Sequence, residues 1–192
     1  MTSLTEEIER KLVVRARKGD HLAMKQIYDC YARYLTATCS RYLPGDEELR
    51  DVLQDSFVKI FSSLDKFDYR GEGSLKAWMR QLAVNEALKS LRKRKRKRQN
   101  TVQYQWDLPD REAEEEEPDV GGIPPPVLQR MIRELPDGYR AVLNLYAFEE
   151  KSHKEIAEML GITESTSASQ LHRARAVLAK RIKEYQRKTE TA

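Results

Sequence analysis

Six side chains between residues 165 and 173 are of the types that read nucleic-acid bases: Ser165, Thr166, Ser169, Gln170, His172 and Arg173. Hydroxyls, an amide and an imidazole donate and accept at base edges, and a guanidinium can hold guanine through two parallel N–H groups. They belong to SHKEIAEMLGITESTSASQLHRAR, residues 152–175, which has the pattern of a helix-turn-helix. Ile156, Ala157 and Leu160 mark a short first helix, and Gly161 supplies a turn at positive φ. Ile162 plugs the corner, and Thr163 is placed to cap the second helix. Ala168, Leu171, Ala174, Leu178 and Ile182 then recur at helical spacing on the packed side. Ser165, Thr166, Ser169 and Arg173 fall opposite, flanked by Gln170 and His172. Such a helix suits the major groove, with Arg173 as the guanine contact, although the pattern alone also describes an ordinary helical hairpin. Ser167 lies on the inner side, and Arg175 points inward toward Glu155 or Glu158.

Other groups of reactive side chains are poorer. Asp46, Asp51 and Asp55 are possible metal ligands, but they belong to one helix and no facing acid or histidine cluster accompanies them. His21, His153 and His172 are scattered, and Cys30 and Cys39 match no zinc or C-x-x-C spacing. No nucleophile–base set appears. The expectation is a protein that is not an enzyme, with no catalytic residue, no metal, no cofactor and no small-molecule substrate.

The elements that must carry these residues are helical. The expected helices are 4–18, 21–43 behind a turn and cap at Gly19-Asp20, 47–64 with acids in its first turn, and 75–98 capped by Ser74. Within 47–64, Leu49, Leu53, Phe57, Ile60 and Leu64 form the apolar stripe. Asp51, Asp55 and Val58 share another face with Gln54 beside them. The segment KFDYRGEG, residues 66–73, has two glycines and no helical period, so it is a loop. The helix after it is apolar nearly all round at first, through Leu75, Trp78, Met79, Leu82, Ala83, Val84, Ala87 and Leu91, so it must lie between neighbours. It ends in RKRKRKR, residues 92–98, which cannot enter a core.

Charge divides the 192 residues into blocks. Residues 1–64 carry ten basic and ten acidic side chains, residues 65–98 twelve against four, residues 99–126 one against eight, and the remainder twelve against nine. Basic blocks point to phosphate, whose neutralisation releases counterions and supplies nonspecific affinity for nucleic acid. The acidic strip also holds Gly121-Gly122 and Pro124-Pro125-Pro126 and reads as a flexible linker. The expected organisation is therefore all-α, with two small helical domains, 1–98 and 127–192, joined by the linker 99–126. No apolar run approaches the ~20 residues of a membrane span, so a cytoplasmic protein without membrane insertion is expected.

Several stretches, in order, carry a resemblance to the extracytoplasmic-function (ECF) group of bacterial sigma factors of the sigma-70 family. Residues 20–43, with Ile27-Tyr28 and Tyr31, resemble the opening of sigma region 2, and LRDVLQDSF, residues 49–57, is similar to its polymerase-binding helix. FDYRGEGSLKAWM, residues 67–79, followed by LAVNEA, residues 82–87, is the most specific match, and residues 135–175 resemble region 4. The resemblance implies a protein that binds core RNA polymerase and directs it to promoter DNA, and that has an anti-sigma factor as a partner. It places polymerase docking on Asp51, Gln54, Asp55 and Val58. Recognition of the −10 element and capture of a flipped nontemplate base fall to loop 66–73. There Phe67 and Tyr69 can offer a stacking surface, while Asp68, Arg70 and Glu72 read edges or hold phosphates. Lys76, Arg80, Lys89 and Arg92 would follow the phosphates along the next helix. Phe67 has the alternative role of anchoring the loop in the core, and Trp78 belongs to the core. Recognition of the −35 element falls to Ser165, Thr166, Ser169, Gln170, His172 and Arg173. Two departures from the family pattern stand in that helix: Ser167-Ala168 where an apolar and a basic residue are common, and Gln170 where arginine is common. Two rivals remain. A stand-alone helix-turn-helix regulator would bind its operator without polymerase, and a metal-dependent nuclease would show magnesium-dependent cleavage.

Overall fold

The computed structural model describes residues 6–99 and 120–190, with side chains outside the described part for 95–99 and 190. Every regular element among the described residues is helical. The chain divides into two compact units, Met1–Ser90 and Leu91–Ala192. Residues 100–119, most of the expected acidic linker, and the side chains of 95–98 in the basic run lie outside the described residues.

The first unit contains α1 (Glu6–Arg17), α2 (His21–Ser40), α3 (Asp46–Ser62), a single 3-10 turn (Leu64–Lys66) and the greater part of α4 (Ser74–Gln99), which runs on past Ser90. Gly19, at φ 82°, turns the chain between α1 and α2. Asp20 caps α2, accepting from the backbone N–H groups of Leu22 (2.9 Å) and Ala23 (3.2 Å). The Arg15 guanidinium, 2.8 Å away, and those N–H groups hold the Asp20 carboxyl below its ordinary range. In α3 the buried line is Leu49, Val52, Ser56, Phe57 and Ile60, while Leu53, expected inside, is half-buried. A serine is tolerated there because its hydroxyl donates to the Val52 carbonyl oxygen (2.6 Å).

The first part of α4 is packed over much of its circumference, as its all-round apolar character requires. Leu75, Met79, Ala83, Val84, Ala87 and Leu88 are fully buried; Trp78, Leu82 and Leu91 are half-buried. Ser74 does not cap α4 from outside. It is the first helical residue, and the Gly73 carbonyl takes the capping role by accepting from Ala77 N–H (2.9 Å). The Ser74 hydroxyl instead donates to Gly71 O (2.6 Å) and accepts from Arg70 N–H (3.2 Å), closing the preceding loop.

The second unit contains α5 (Pro125–Arg133), α6 (Asp137–Ala147), α7 (His153–Leu160) and α8 (Glu164–Glu190). The proline run expected within the linker starts α5 at Pro125 and Pro126, because the first turn needs no intrahelical N–H donors and favours proline's φ. Arg140 is buried yet satisfied: its guanidinium donates to the carbonyls of Arg133 (2.9 Å) and Leu135 (2.6 Å) and to the Asp137 carboxylate (2.6 Å). That clasp fixes the corner from α5 to α6. α6 and α7 then form the bed on which α8 lies.

Candidate functional site

The residues singled out by sequence fall on three surfaces, two on the first unit and one on the second. On α3, Asp51, Gln54, Asp55 and Val58 are all exposed and share one side of the helix. Val58 is 63% exposed, an apolar side chain set within this otherwise polar face. An apolar side chain set among carboxylates is suited to a basic helical partner with an apolar centre. The surface also holds a residue that sequence reasoning did not assign to it. Tyr28 of α2 is 47% exposed, and its ring lies 4.6 Å from that of Phe57, which in turn faces Phe61 at 6.0 Å. Phe57 is next to Val58 and one turn from Gln54, so Tyr28 extends the same face. Its signal was only its place beside buried Ile27, one helical step off the packed side.

Loop 67–73 forms the second surface. Phe67 is only 5% exposed, with its ring centroid 4.9 Å from Trp78. It anchors the loop in the core, and its assignment as a DNA contact is corrected accordingly: an apolar ring next to α4 gains more by burial than by display. Tyr69 is half-buried, edge-on to Phe67 at 6.2 Å. Asp68, Arg70 and Glu72 are exposed, and Arg70 pairs with Asp68 at 3.1 Å. Along α4, Lys76, Lys89 and Arg92 are exposed and Arg80 is half-buried. Lys76 holds its ammonium 4.4 Å above the ring of Tyr34, and Lys89 pairs with Glu86 at 3.0 Å. At about 100° per residue, Lys76 and Arg80 lie together, whereas Lys89 is about 220° around the helix from Lys76. The four basic residues therefore form two sites rather than one stripe.

The third surface is the helix-turn-helix of α7 and α8. Ser152 and Glu155 form a reciprocal capping box: Ser152 Oγ accepts from Glu155 N–H (3.3 Å), and the Glu155 carboxylate accepts from Ser152 N–H (2.9 Å). Lys151, at 2.9 Å, and then these Ser152 bonds depress the Glu155 carboxyl to about 2. Gly161 closes α7 at φ 65°, as expected. Thr163 caps α8, its hydroxyl oxygen accepting from Thr166 N–H (3.1 Å).

The packed side of α8 agrees with the expected one except at Ala168 and Gln170. Ser167, Gln170, Leu171, Ala174, Leu178 and Ile182 make the buried side, and Ala168 is exposed. Gln170 is therefore withdrawn as a DNA contact. It is 1% exposed, and neither of its amide atoms has a hydrogen-bond partner among the described residues. Ser167 is buried because His153 Nδ1 meets its hydroxyl at 2.9 Å. Ser165 and His172 are exposed, while Thr166, Ser169 and Arg173 are half-buried. The hydroxyl of Thr166 meets that of Thr163 (2.8 Å), and that of Ser169 donates to Thr166 O (3.1 Å). Arg175 lies over the ring of Tyr146 at 5.7 Å, and Glu155 is engaged by Lys151 instead.

Two helical units, one of them ending in a helix-turn-helix whose long second helix shows its polar side to solvent, have the build of a nucleic-acid-binding protein. Known proteins narrow the class. The family described as "Sigma-70 region 2" matches residues 27–97, and "Sigma-70, region 4" matches residues 127–178. The chain is 28% identical over 188 residues to the ECF RNA polymerase sigma factor SigW of Bacillus subtilis, covering 93% of this chain and 99% of that protein. It is 28% identical over 194 residues to the ECF RNA polymerase sigma-E factor of Escherichia coli K12, covering 93% and 95% respectively. Among solved structures, it superposes with a TM-score of 0.50 and 22% identity on the sigma factor RpoE of Bartonella quintana, solved in complex with the anti-sigma factor NepR. That match covers 83% of this chain and 96% of the other. The chain belongs to the sigma-70 family, in its ECF group. It acts with RNA polymerase in promoter-specific transcription initiation.

Proposed function

We propose that the three surfaces divide the work of initiation. Asp51, Gln54, Asp55 and Val58, with Tyr28, dock on core polymerase. Tyr69, Asp68, Arg70 and Glu72 read the −10 element and hold the displaced nontemplate strand, with Lys76 and Arg80 on one side of α4 and Lys89 and Arg92 on another taking phosphates. Ser165, Ser169, His172 and Arg173, with Thr166 at the margin, read the −35 element. In this reading the working domains are 1–98 and 127–192, one on each side of the acidic segment. An anti-sigma factor, as in the Bartonella complex, is the proposed regulator.

The observation that carries the reading is the exposure of the α3 face: two carboxylates, an amide and a 63%-exposed valine stand on the side of the helix away from its core. Strand opening without ATP also needs the displaced strand to be held more favourably than the duplex, and a loop anchored by Phe67 with charged residues at its tip supplies such a surface. The test is reconstitution. Purified chain and core polymerase should form a holoenzyme that selects −35 and −10 sequences from a randomised duplex library and initiates on them. Selection of an operator by the free chain, with no polymerase binding, would replace this reading by that of a stand-alone regulator.

A further inference from the structure

We propose that Glu9 and Arg17 of α1 are positioning residues for the promoter-reading loop 67–73, so that α1 is the clamp that holds the loop ready to receive a base. The inference rests on the reading of that loop given above. Glu9 is 4% exposed, an uncommon place for a carboxylate. One of its oxygens accepts from the Tyr31 hydroxyl of α2, and the other accepts from the Tyr69 hydroxyl of the loop at 2.9 Å. The Tyr69 hydroxyl also reaches the Glu6 carbonyl oxygen at 3.2 Å. Farther along the same helix, Arg17 donates through Nε to the Leu64 carbonyl (3.0 Å) and through Nη2 to the Phe67 carbonyl. One helix thus holds the approach to the loop by two carbonyls and its middle by a side-chain hydroxyl.

Stability alone does not call for this arrangement. A buried carboxylate is costly unless its hydrogen bonds are made, and an apolar residue of similar size would fill the position without that cost. The carboxylate adds direction. It sets the Tyr69 ring edge-on to Phe67, with 88° between the planes, and so fixes the backbone that carries Asp68, Arg70 and Glu72. Burial and then the Glu9 hydrogen bond push the Tyr69 hydroxyl up to about 12, so it remains a donor throughout the working pH range. A loop held in its receiving geometry spares the ordering cost that would otherwise fall on base capture.

The test uses holoenzyme reconstituted from the full chain, and a promoter duplex selected by the wild-type holoenzyme with 2-aminopurine in the nontemplate −10 strand. Opening is read by fluorescence, with polymerase affinity and thermal unfolding measured in parallel. Glu9→Ala and Tyr69→Phe should each lower the opening constant by about tenfold, the scale of one hydrogen bond to a charged group, with polymerase affinity unchanged. The double variant should be no worse than the worse single, because both remove the same bond. Glu9→Gln should restore most of the opening, since its amide can accept from one hydroxyl and donate to the other. Arg17→Lys, which keeps the charge but loses the fork, should lower opening in the same way. Additive losses, no rescue by Gln, or a parallel fall in polymerase affinity would show a general structural role and overturn the clamp. Tyr69→Phe keeps the ring and leaves no cavity, so it tests the bond even if Glu9→Ala melts. Wild-type opening by Tyr69→Ala would overturn the loop's reading role and the clamp with it. A defective Tyr69→Ala beside a fully active Glu9→Ala would overturn the clamp alone.

Discussion

Gln170 shows how a polar residue type at a packed helical position changes a residue's role. Leu171, Ala174, Leu178 and Ile182 are packed where the apolar spacing of α8 puts them, and Ser167 is inside as expected, but Ala168 is exposed and Gln170 takes an inner position. The structure buries both polar residues, Ser167 against His153 and Gln170 with no partner for its amide among the described residues. Apolar periodicity alone could not reveal this, because two of the inward positions are filled by polar types. Gln170→Met, which keeps the unbranched shape and removes the buried amide, should therefore stabilise the protein by about 1 kcal/mol in denaturant titration. It should also leave discrimination between matched and scrambled −35 duplexes unchanged; a loss of discrimination would return Gln170 to the DNA interface. Glu155 gives a second prediction at this scale. Its folded carboxyl is depressed to about 2 from an ordinary 4.5, so its stabilising effect is complete above pH 4.5 and is lost as pH falls toward 2. The melting temperature of Glu155→Gln should lie below wild type at neutral pH, and the gap should close across that acid window. A gap that stays constant down to pH 2 would mean that the capping box does not depend on the ionised carboxylate.

At the scale of elements, helices were legible where their ends carry chemistry. Gly19-Asp20, Gly161 and Thr163 fix their turns and caps as the sequence indicates, because positive φ and N-terminal donors admit few residue types. Two features were not legible. A proline run at 124–126 reads as a breaker although proline also opens helices, and Glu9 and Tyr69 meet across 60 positions of chain, a separation at which no local pattern speaks. The α3 face lies on the legible side, since four exposed residues recur at helical spacing. Asp51→Lys combined with Asp55→Lys should weaken polymerase binding by about a hundredfold, because reversed charge against a basic partner costs several kcal/mol. Circular dichroism and the melting temperature should be nearly unchanged, as both residues are exposed. Val58→Asp, placed at the apolar centre of the same face, should weaken binding as well. Unaltered polymerase affinity in these variants would remove α3 as the docking face.

Over the whole molecule, the charge distribution separates two contributions to DNA binding that a single affinity would confound. The chain's net charge of +4 arises mainly from one block, in which residues 65–98 hold twelve basic side chains against four acidic ones. Phosphate contacts from such a block would raise affinity for any duplex and fade with salt, whereas base contacts, proposed here for α8, would distinguish duplexes and depend on salt only weakly. Arg92 and Lys93 are exposed near the end of the described part of α4 and represent the first kind. Ser165 and His172, on the outer side of α8, represent the second. Arg92→Gln combined with Lys93→Gln should reduce the slope of log affinity against log salt by about 2, one for each phosphate no longer neutralised. The ratio of affinities for matched and scrambled promoters should stay the same. Ser165→Ala combined with His172→Ala should do the reverse, holding the slope and lowering the ratio by about tenfold, at ~1–3 kcal/mol for a mismatched or unread base pair. Fluorescence anisotropy of the reconstituted holoenzyme on both duplexes, from low to physiological salt, reads both quantities in one titration. If the α4 variants changed the ratio, the basic block would be reading sequence. If the α8 variants changed only the slope, the helix-turn-helix would be serving as a phosphate anchor, and the division of labour drawn from the charge blocks would have to be reversed.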